Sequence, residues 1–129
     1  MKLNINQILQ KGIAAHNEGK LQEAEKFYIS VLKAQPAHPD ANHNLGVIAV
    51  AMNNTKAALP LFQNAIKAKP LFVEAHYNLA NLLKDLGRPE EAEVSYKKAI
   101  EFKPNFTEAH YNLGNLLKDL GRPEEAEVS

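Results

Sequence analysis

The sequence predicts an all-α protein built from repeated helical hairpins stacked in a solenoid. Four residue series in one register predict it. Ala24, Ala58, Ala92 and Ala126 fall 34 residues apart. Pro36, Pro70 and Pro104 keep the same step, as do the small residues Gly12, Gly46, Ala80 and Gly114. Tyr28, Phe62 and Tyr96 follow the first three alanines by four residues each. A fixed period of this length signals stacked supersecondary units, because one hairpin cannot bury its own apolar face.

The helices follow from local chemistry. First helices are expected over about 5–17, 39–52, 72–86 and 106–120, and second helices over about 21–35, 55–69, 89–103 and 123–129. Gly87 and Gly121 stand where a left-handed residue closes a helix. Pro89 and Pro123 suit the first turn of the next helix, and Glu90-Glu91 and Glu124-Glu125 complement its positive end. In the second hairpin Asn53-Asn54 replaces the glycine turn, and Thr55 is the expected N-cap. Proline at the end of each second helix stops it, having no N–H to donate. Pro60 is the one local conflict. It sits inside the second helix of the second hairpin, where it removes a bond to the Lys56 carbonyl, a loss of about 3 kcal/mol in a plain host helix.

The Leu45-Gly46, Leu79-Ala80 and Leu113-Gly114 pairs, each followed by Ala-x3-aromatic and Pro in the complete copies, resemble the tetratricopeptide repeat family over nearly the whole chain. With the small residue as position 8, the chain divides as a single array, 1–129, with repeats over about 5–38, 39–72, 73–106 and a partial 107–129. Position 4, often Trp in the family, holds Ile8, Asn42, His76 and His110. Position 7 holds Lys11 in the first copy, and position 11 holds Ala15, Ala49, Leu83 and Leu117. The first repeat is the most degenerate, which suits a terminal one. The resemblance implies a right-handed α-solenoid whose first helices line a concave groove that binds proteins or peptides.

Carried onto this chain, the resemblance turns positions 2, 5, 6, 9, 12 and 13 inward, and helical periodicity agrees that they share a face. The candidate groove residues are Asn44, Asn78 and Asn112 at position 6, and Asn81 and Asn115 at position 9. His43, Tyr77 and Tyr111 stand at position 5, and Lys84 and Lys118 at position 12. An amide offers both a donor and an acceptor, so a ladder of asparagines can pair with a peptide backbone whatever its side chains. This pattern is similar to the asparagine ladder of the tetratricopeptide arrays in O-linked N-acetylglucosamine transferases. The family's two-carboxylate clamp needs Lys or Arg at positions such as 5 and 9, and no copy has one. The alternative reading of the asparagines is that they cross-link or cap neighbouring helices, or simply face water.

Composition narrows the function. Lys+Arg and Asp+Glu both number 15, so the formal net charge is zero, which argues against nucleic-acid and polybasic membrane partners. No apolar stretch approaches the roughly 20 residues of a membrane helix. Cysteine is absent, and a cytoplasmic protein is the default. His76 and His110 recur one repeat apart but lack two further ligands for a metal, so a structural role at position 4 is expected. Neither phosphate-loop motif occurs, and Ser30, Thr55 and Ser95 have no local base. No metal, cofactor or catalysis is expected. The predicted function is a protein- or peptide-binding scaffold or adaptor. The alternatives are a substrate-recruiting or oligomerising arm of a larger enzyme, such as a glycosyltransferase, and a self-assembly module.

The last two copies are almost identical. Residues 74–95 and 108–129 differ only at Ala80 and Gly114. The internal apolar pattern Leu113, Leu116, Leu117 and Leu120 recurs in the last first-helix with no polar-faced cap after it. The expectation is that this end belongs to a longer array, or is covered by another chain, giving self-association.

Overall fold

The computed structural model describes residues 3–126. Among them there are eight helices and no strand. They fall into two compact units divided between Pro70 and Leu71. The first unit holds α1 (Ile5–Asn17), α2 (Leu21–Ala34), α3 (Pro39–Ala51) and α4 (Thr55–Ala68). The second holds α5 (Val73–Asp85), α6 (Pro89–Phe102), α7 (Thr107–Asp119) and α8 (Pro123–Ala126). In each unit the packing runs between helices adjacent in the chain, most extensively within the pairs α1–α2, α3–α4 and α5–α6. The expected hairpins are thus present as far as residue 126, with the first helices of the third and fourth copies one residue shorter at each end; positions 127–129 of the last expected helix lie outside the described residues.

The helix ends follow the turn chemistry. Gly19, Gly87 and Gly121 take φ of 78°, 74° and 75°, the left-handed conformation that a side chain disfavours. Asn53 fills the equivalent place at φ 60°, which asparagine tolerates better than most residues. The cap of α4 is Asn54, whose Oδ1 accepts from the Ala57 N–H at 3.3 Å; Thr55, expected as the cap, is the first helical residue instead. Asn54 follows the left-handed Asn53 as Lys20 follows Gly19 and Arg88 follows Gly87, and so takes the N-cap position. In α1 the Asn4 and Gln7 side chains bond each other's backbone N–H at 2.8 and 2.9 Å, a reciprocal capping box.

α4 runs unbroken through Pro60. The proline lies on the exposed face, so water can reach the Lys56 carbonyl that it leaves without an N–H.

The aromatic and the small residue set how closely the paired helices approach. A Cβ added at Gly12 would lie 2.7 Å from the Tyr28 ring, and one at Gly46 would lie 2.7 Å from the Phe62 ring. Both rings are buried, as are Ala24, Ala58 and Ala92. In the first unit Leu9, Ala15, Ala24, Tyr28, Val31, Ala41 and Ile48 form one cluster. In the second, Phe106 and Ala109 seat against Ala99 with Val73, Tyr77 and Ile100 alongside. At Gly114 an added Cβ would meet only the Ala126 carbonyl, at 3.7 Å.

Gly46→Ala gains about 1 kcal/mol of helix propensity. Overpacking against a fixed ring costs more, roughly 1–3 kcal/mol. The expected net result is a loss of about 1 kcal/mol for Gly46→Ala, against a gain of about the same size for Gly114→Ala. Urea titrations of the two variants, followed by circular dichroism, read the opposite signs directly.

Candidate functional site

The expected groove residues lie on α3, α5 and α7, at one face of each helix. In the first unit His43 and Asn44 are half-buried on α3. The His43 Nδ1 and Asn44 Oδ1 lie 3.2 Å apart, and the His43 ring stands 5.8 Å from that of Phe62.

The second unit brings four polar side chains into one network. Asn112 Nδ2, on α7, donates to the Tyr77 hydroxyl at 2.9 Å and to Asn81 Oδ1 at 3.2 Å, both on α5. The same Asn81 oxygen accepts from the Tyr96 hydroxyl, on α6. Tyr77 packs on Phe106 at 4.8 Å and on Tyr96 at 6.1 Å between ring centroids. Burial raises the Tyr96 phenol well above its ordinary value, with Tyr77 and Asp85 adding to the effect, so it stays protonated and can donate.

The other candidates are more open. Asn78 is half-buried and Lys84 exposed on α5. Tyr111, Asn115 and Lys118 line a shallow cavity of about 330 Å³ with Thr107, His110, Gly114 and Ala126. Tyr111 is 68% exposed, in contrast to Tyr77 one copy earlier. Leu113, Leu116 and Leu117 are buried and Leu120 half-buried. Leu113 and Leu117 nevertheless floor an open cavity of about 470 Å³, with Ile100, Lys97, Glu101, His110 and Glu125 around it.

Position 4 has a role that packing alone does not describe. Asn42 is buried, and its Nδ2 donates to the Pro36 carbonyl at 3.1 Å and to that of His38 at 2.9 Å. His110 Nε2 lies 2.7 Å from the Pro104 carbonyl, six residues back in the same way. A prolyl turn leaves a carbonyl unsatisfied, and a polar residue here satisfies it. The His76 ring is buried 5.6 Å from Phe102.

Sequence reading also missed two other contributors. Tyr96 read only as packing, although position 24 pairs with position 9. Tyr96 meets Asn81, whereas Tyr28 is paired in register with Ile13, which has no acceptor. The buried Tyr28 hydroxyl accordingly lacks a well-formed hydrogen bond, and burial raises its phenol, with Asn44 offsetting this only in part. The second omission is an ion pair between copies. Arg122, in the turn after α7, grips Glu93 of α6 through two bonds of 2.6 and 2.9 Å, and Lys97 reaches the same carboxylate at 2.8 Å. Arg122 also bonds Glu125. Hydrogen bonds from Arg122 first and Lys97 second hold the buried Glu93 carboxyl down to about 2.

Among the described residues no group of three or more His, Asp or Glu side chains is placed to hold a metal, and no helix is long and apolar enough to cross a membrane.

Hairpins with a position-8 small residue against a position-24 aromatic, and polar first-helix faces, define a tetratricopeptide interaction module. Family profiles for the tetratricopeptide repeat match residues 8–38, 39–70, 73–106 and 95–128, and the chain belongs to this family. No curated protein matches it in sequence. Among solved structures, a crystal structure of MamA is 24% identical, with a TM-score of 0.89, over 95% of this chain and 72% of that one. MamA from Desulfovibrio magneticus is 26% identical, with a TM-score of 0.86, over 96% of this chain and 70% of that one. An O-GlcNAc transferase mutant from Thermobaculum terrenum is 28% identical, with a TM-score of 0.82, over 91% of this chain but only 23% of the transferase. The fold class is all-α, of the tetratricopeptide solenoid type, and the chain is a protein-interaction scaffold.

Glu93 titrates lower when folded than the ordinary value of 4.5, so its stabilisation is complete above about pH 4.5 and is lost as pH falls through about 2. Glu93→Gln is expected to cost roughly 2 kcal/mol at pH 7, since Arg122 can partly return to water. The difference from wild type should shrink towards zero near pH 2. Chemical denaturation of both proteins across that range measures it.

Proposed function

We propose that the chain captures an extended segment of a partner protein on its first-helix faces, through main-chain hydrogen bonds from asparagine amides with tyrosine contacts beside them. It acts by binding, without catalysis of its own, in the cytoplasm. The observation that carries this reading is the Asn81–Asn112 pair, two half-buried amides held at 3.2 Å by fixed neighbours on an otherwise open face. Preorganised amides lose little freedom on binding, which favours affinity from few contacts. Tyr111 adds a large amphipathic surface of the kind enriched at interfaces. The likeness to part of an O-GlcNAc transferase supports a variant of the same reading, a recruiting arm that presents a substrate protein to an attached enzyme.

A fluorescent peptide selected on a random twelve-residue array provides the test. Asn78→Ala combined with Asn112→Ala should weaken its binding at least tenfold in anisotropy titrations. Equal binding by the two proteins, both folded by circular dichroism, removes the amide ladder.

A second reading, self-association through the α6–α8 end, is supported by the cavity of about 470 Å³ floored by Leu113 and Leu117. Light scattering should then show mean mass rising with concentration from micromolar to millimolar. A constant monomer mass discards it.

A further inference from the structure

The last two copies form an internal control. Residues 74–95 and 108–129 differ only at Ala80 and Gly114, so α5 and α7 present nearly the same side chains to whatever packs on them. On α5 the occupant is known. It is the edge of α6 that carries Tyr96, Ala99 and Phe102, three residues apart and therefore on one side of the helix. The Tyr96 ring stands 6.1 Å from that of Tyr77, and its hydroxyl bonds Asn81. Ala99 packs beside Val73 and Tyr77, and the Phe102 ring stands 5.6 Å from His76. Under this edge His76 and Ala80 are buried and Tyr77 is half-buried.

On α7 the same face stands open. His110 and Gly114 are half-buried, and Tyr111 is exposed. Two cavities meet at His110. One, of about 330 Å³, runs along Tyr111, Gly114 and Asn115, the counterparts of Tyr77, Ala80 and Asn81. The other, of about 470 Å³, is floored by Leu113 and Leu117 with Ile100 beside them. At Gly12 and Gly46 an aromatic ring fills the space before the small residue, 2.7 Å from where a Cβ would lie. At Gly114 that space holds only the Ala126 carbonyl, at 3.7 Å. The counterparts of Tyr96, Ala99 and Phe102, one 34-residue step on, lie beyond Ser129.

We propose that this face of α7 is a docking surface for an amphipathic helix of a partner protein, with an edge that reads aromatic, small, aromatic at i, i+3 and i+6. The first ring seats against Gly114 beside Tyr111. The small residue lets the two helices close, and the second ring lies by His110. A hydroxyl on the first ring finds the Asn115 amide as Tyr96 finds Asn81, so Tyr is preferred there to Phe. Recognition by helix anchors at such spacing needs an apolar floor, which Leu113 and Leu117 supply. A folded second copy cannot offer this edge. Its Tyr28, Phe62 and Tyr96 are buried in their own hairpins, and the exposed stripe of α1 carries the polar Gln7 and Lys11. The proposal therefore goes beyond self-association, in which a folded surface lies over the same cavity.

An acetylated, amidated peptide with the sequence of residues 96–106 is the probe. Titrated into the protein, it should shift the backbone amide NMR signals of His110, Tyr111, Gly114 and Leu117 together and saturably. The same peptide with alanine in place of Tyr96 and Phe102 should bind at least tenfold more weakly. Gly114→Leu, which fills the seat from within, should remove the shifts while circular dichroism shows the fold intact. If that variant unfolds, the alanine peptide still decides. Absence of saturable shifts, equal binding by the alanine peptide, or shifts confined to the Asn44 and Asn78 faces overturns the proposal. Light scattering separates it from self-association. A mean mass that rises with concentration and is not lowered by saturating peptide overturns the helix seat and leaves self-association standing. A mass returned to monomer plus peptide supports the seat.

Discussion

The first two hairpins depend on a hydrogen atom standing where a methyl group would collide with an aromatic ring. At Gly12 and Gly46 the facing ring leaves no room for a Cβ. This contact fixes the separation of the two helices, and it does so with side chains that have almost no freedom to adapt. Interiors packed at crystal-like density transmit such a constraint instead of absorbing it. The turn then has one length that fits, and a left-handed residue in it follows. The ring also determines where a hydroxyl at its tip emerges. In the third copy the Tyr96 hydroxyl emerges beside the first-helix face and reaches Asn81. In the first copy the same geometry delivers the Tyr28 hydroxyl to a place with no good acceptor.

Much of the fold was legible because its determinants are local. Glycines 87 and 121 marked their turns, prolines 89 and 123 opened the helices after them, and the 34-residue step aligned the rest. The exception at Thr55 is equally local. Asn53 adopts the left-handed conformation, and the residue after it, Asn54, is the cap, as at the equivalent turns of the first and third copies. The candidate site was legible only in its residue types. The asparagines were visible, but the Asn112 amide is fixed by Tyr77 and Asn81, 35 and 31 residues earlier, and such pairing cannot be read from one repeat taken alone. At position 4 the structural role expected of His76 and His110 was legible, but the bonding partners were not, for another reason. A family preference for a large packing residue hid the fact that Asn42 and His110 are hydrogen-bonding groups, suited to an unsatisfied prolyl carbonyl six residues earlier.

Charge shows the same division between composition and arrangement. A formal net charge of zero says nothing of how charges are paired. The buried Glu93 carboxylate is tolerable only because Arg122 meets it with both arms and Lys97 adds a third contact. The pair ties the α6 of one copy to the turn of the next, so it resists relative sliding of the two hairpins in a way that apolar contacts, which have no direction, do not.

The Asn112 bonds to α5 have a consequence for how such an array can grow or be rearranged. The hydrogen-bonded network does not coincide with the unit of duplication. Asn81, Tyr77 and Tyr96 sit in one copy and Asn112 in the next. Copying a lone hairpin therefore transmits an incomplete network. The smallest inheritable element that carries the whole one is the stretch from Tyr77 to Asn112, whose ends fall inside helices and not at the turns where modules are usually exchanged.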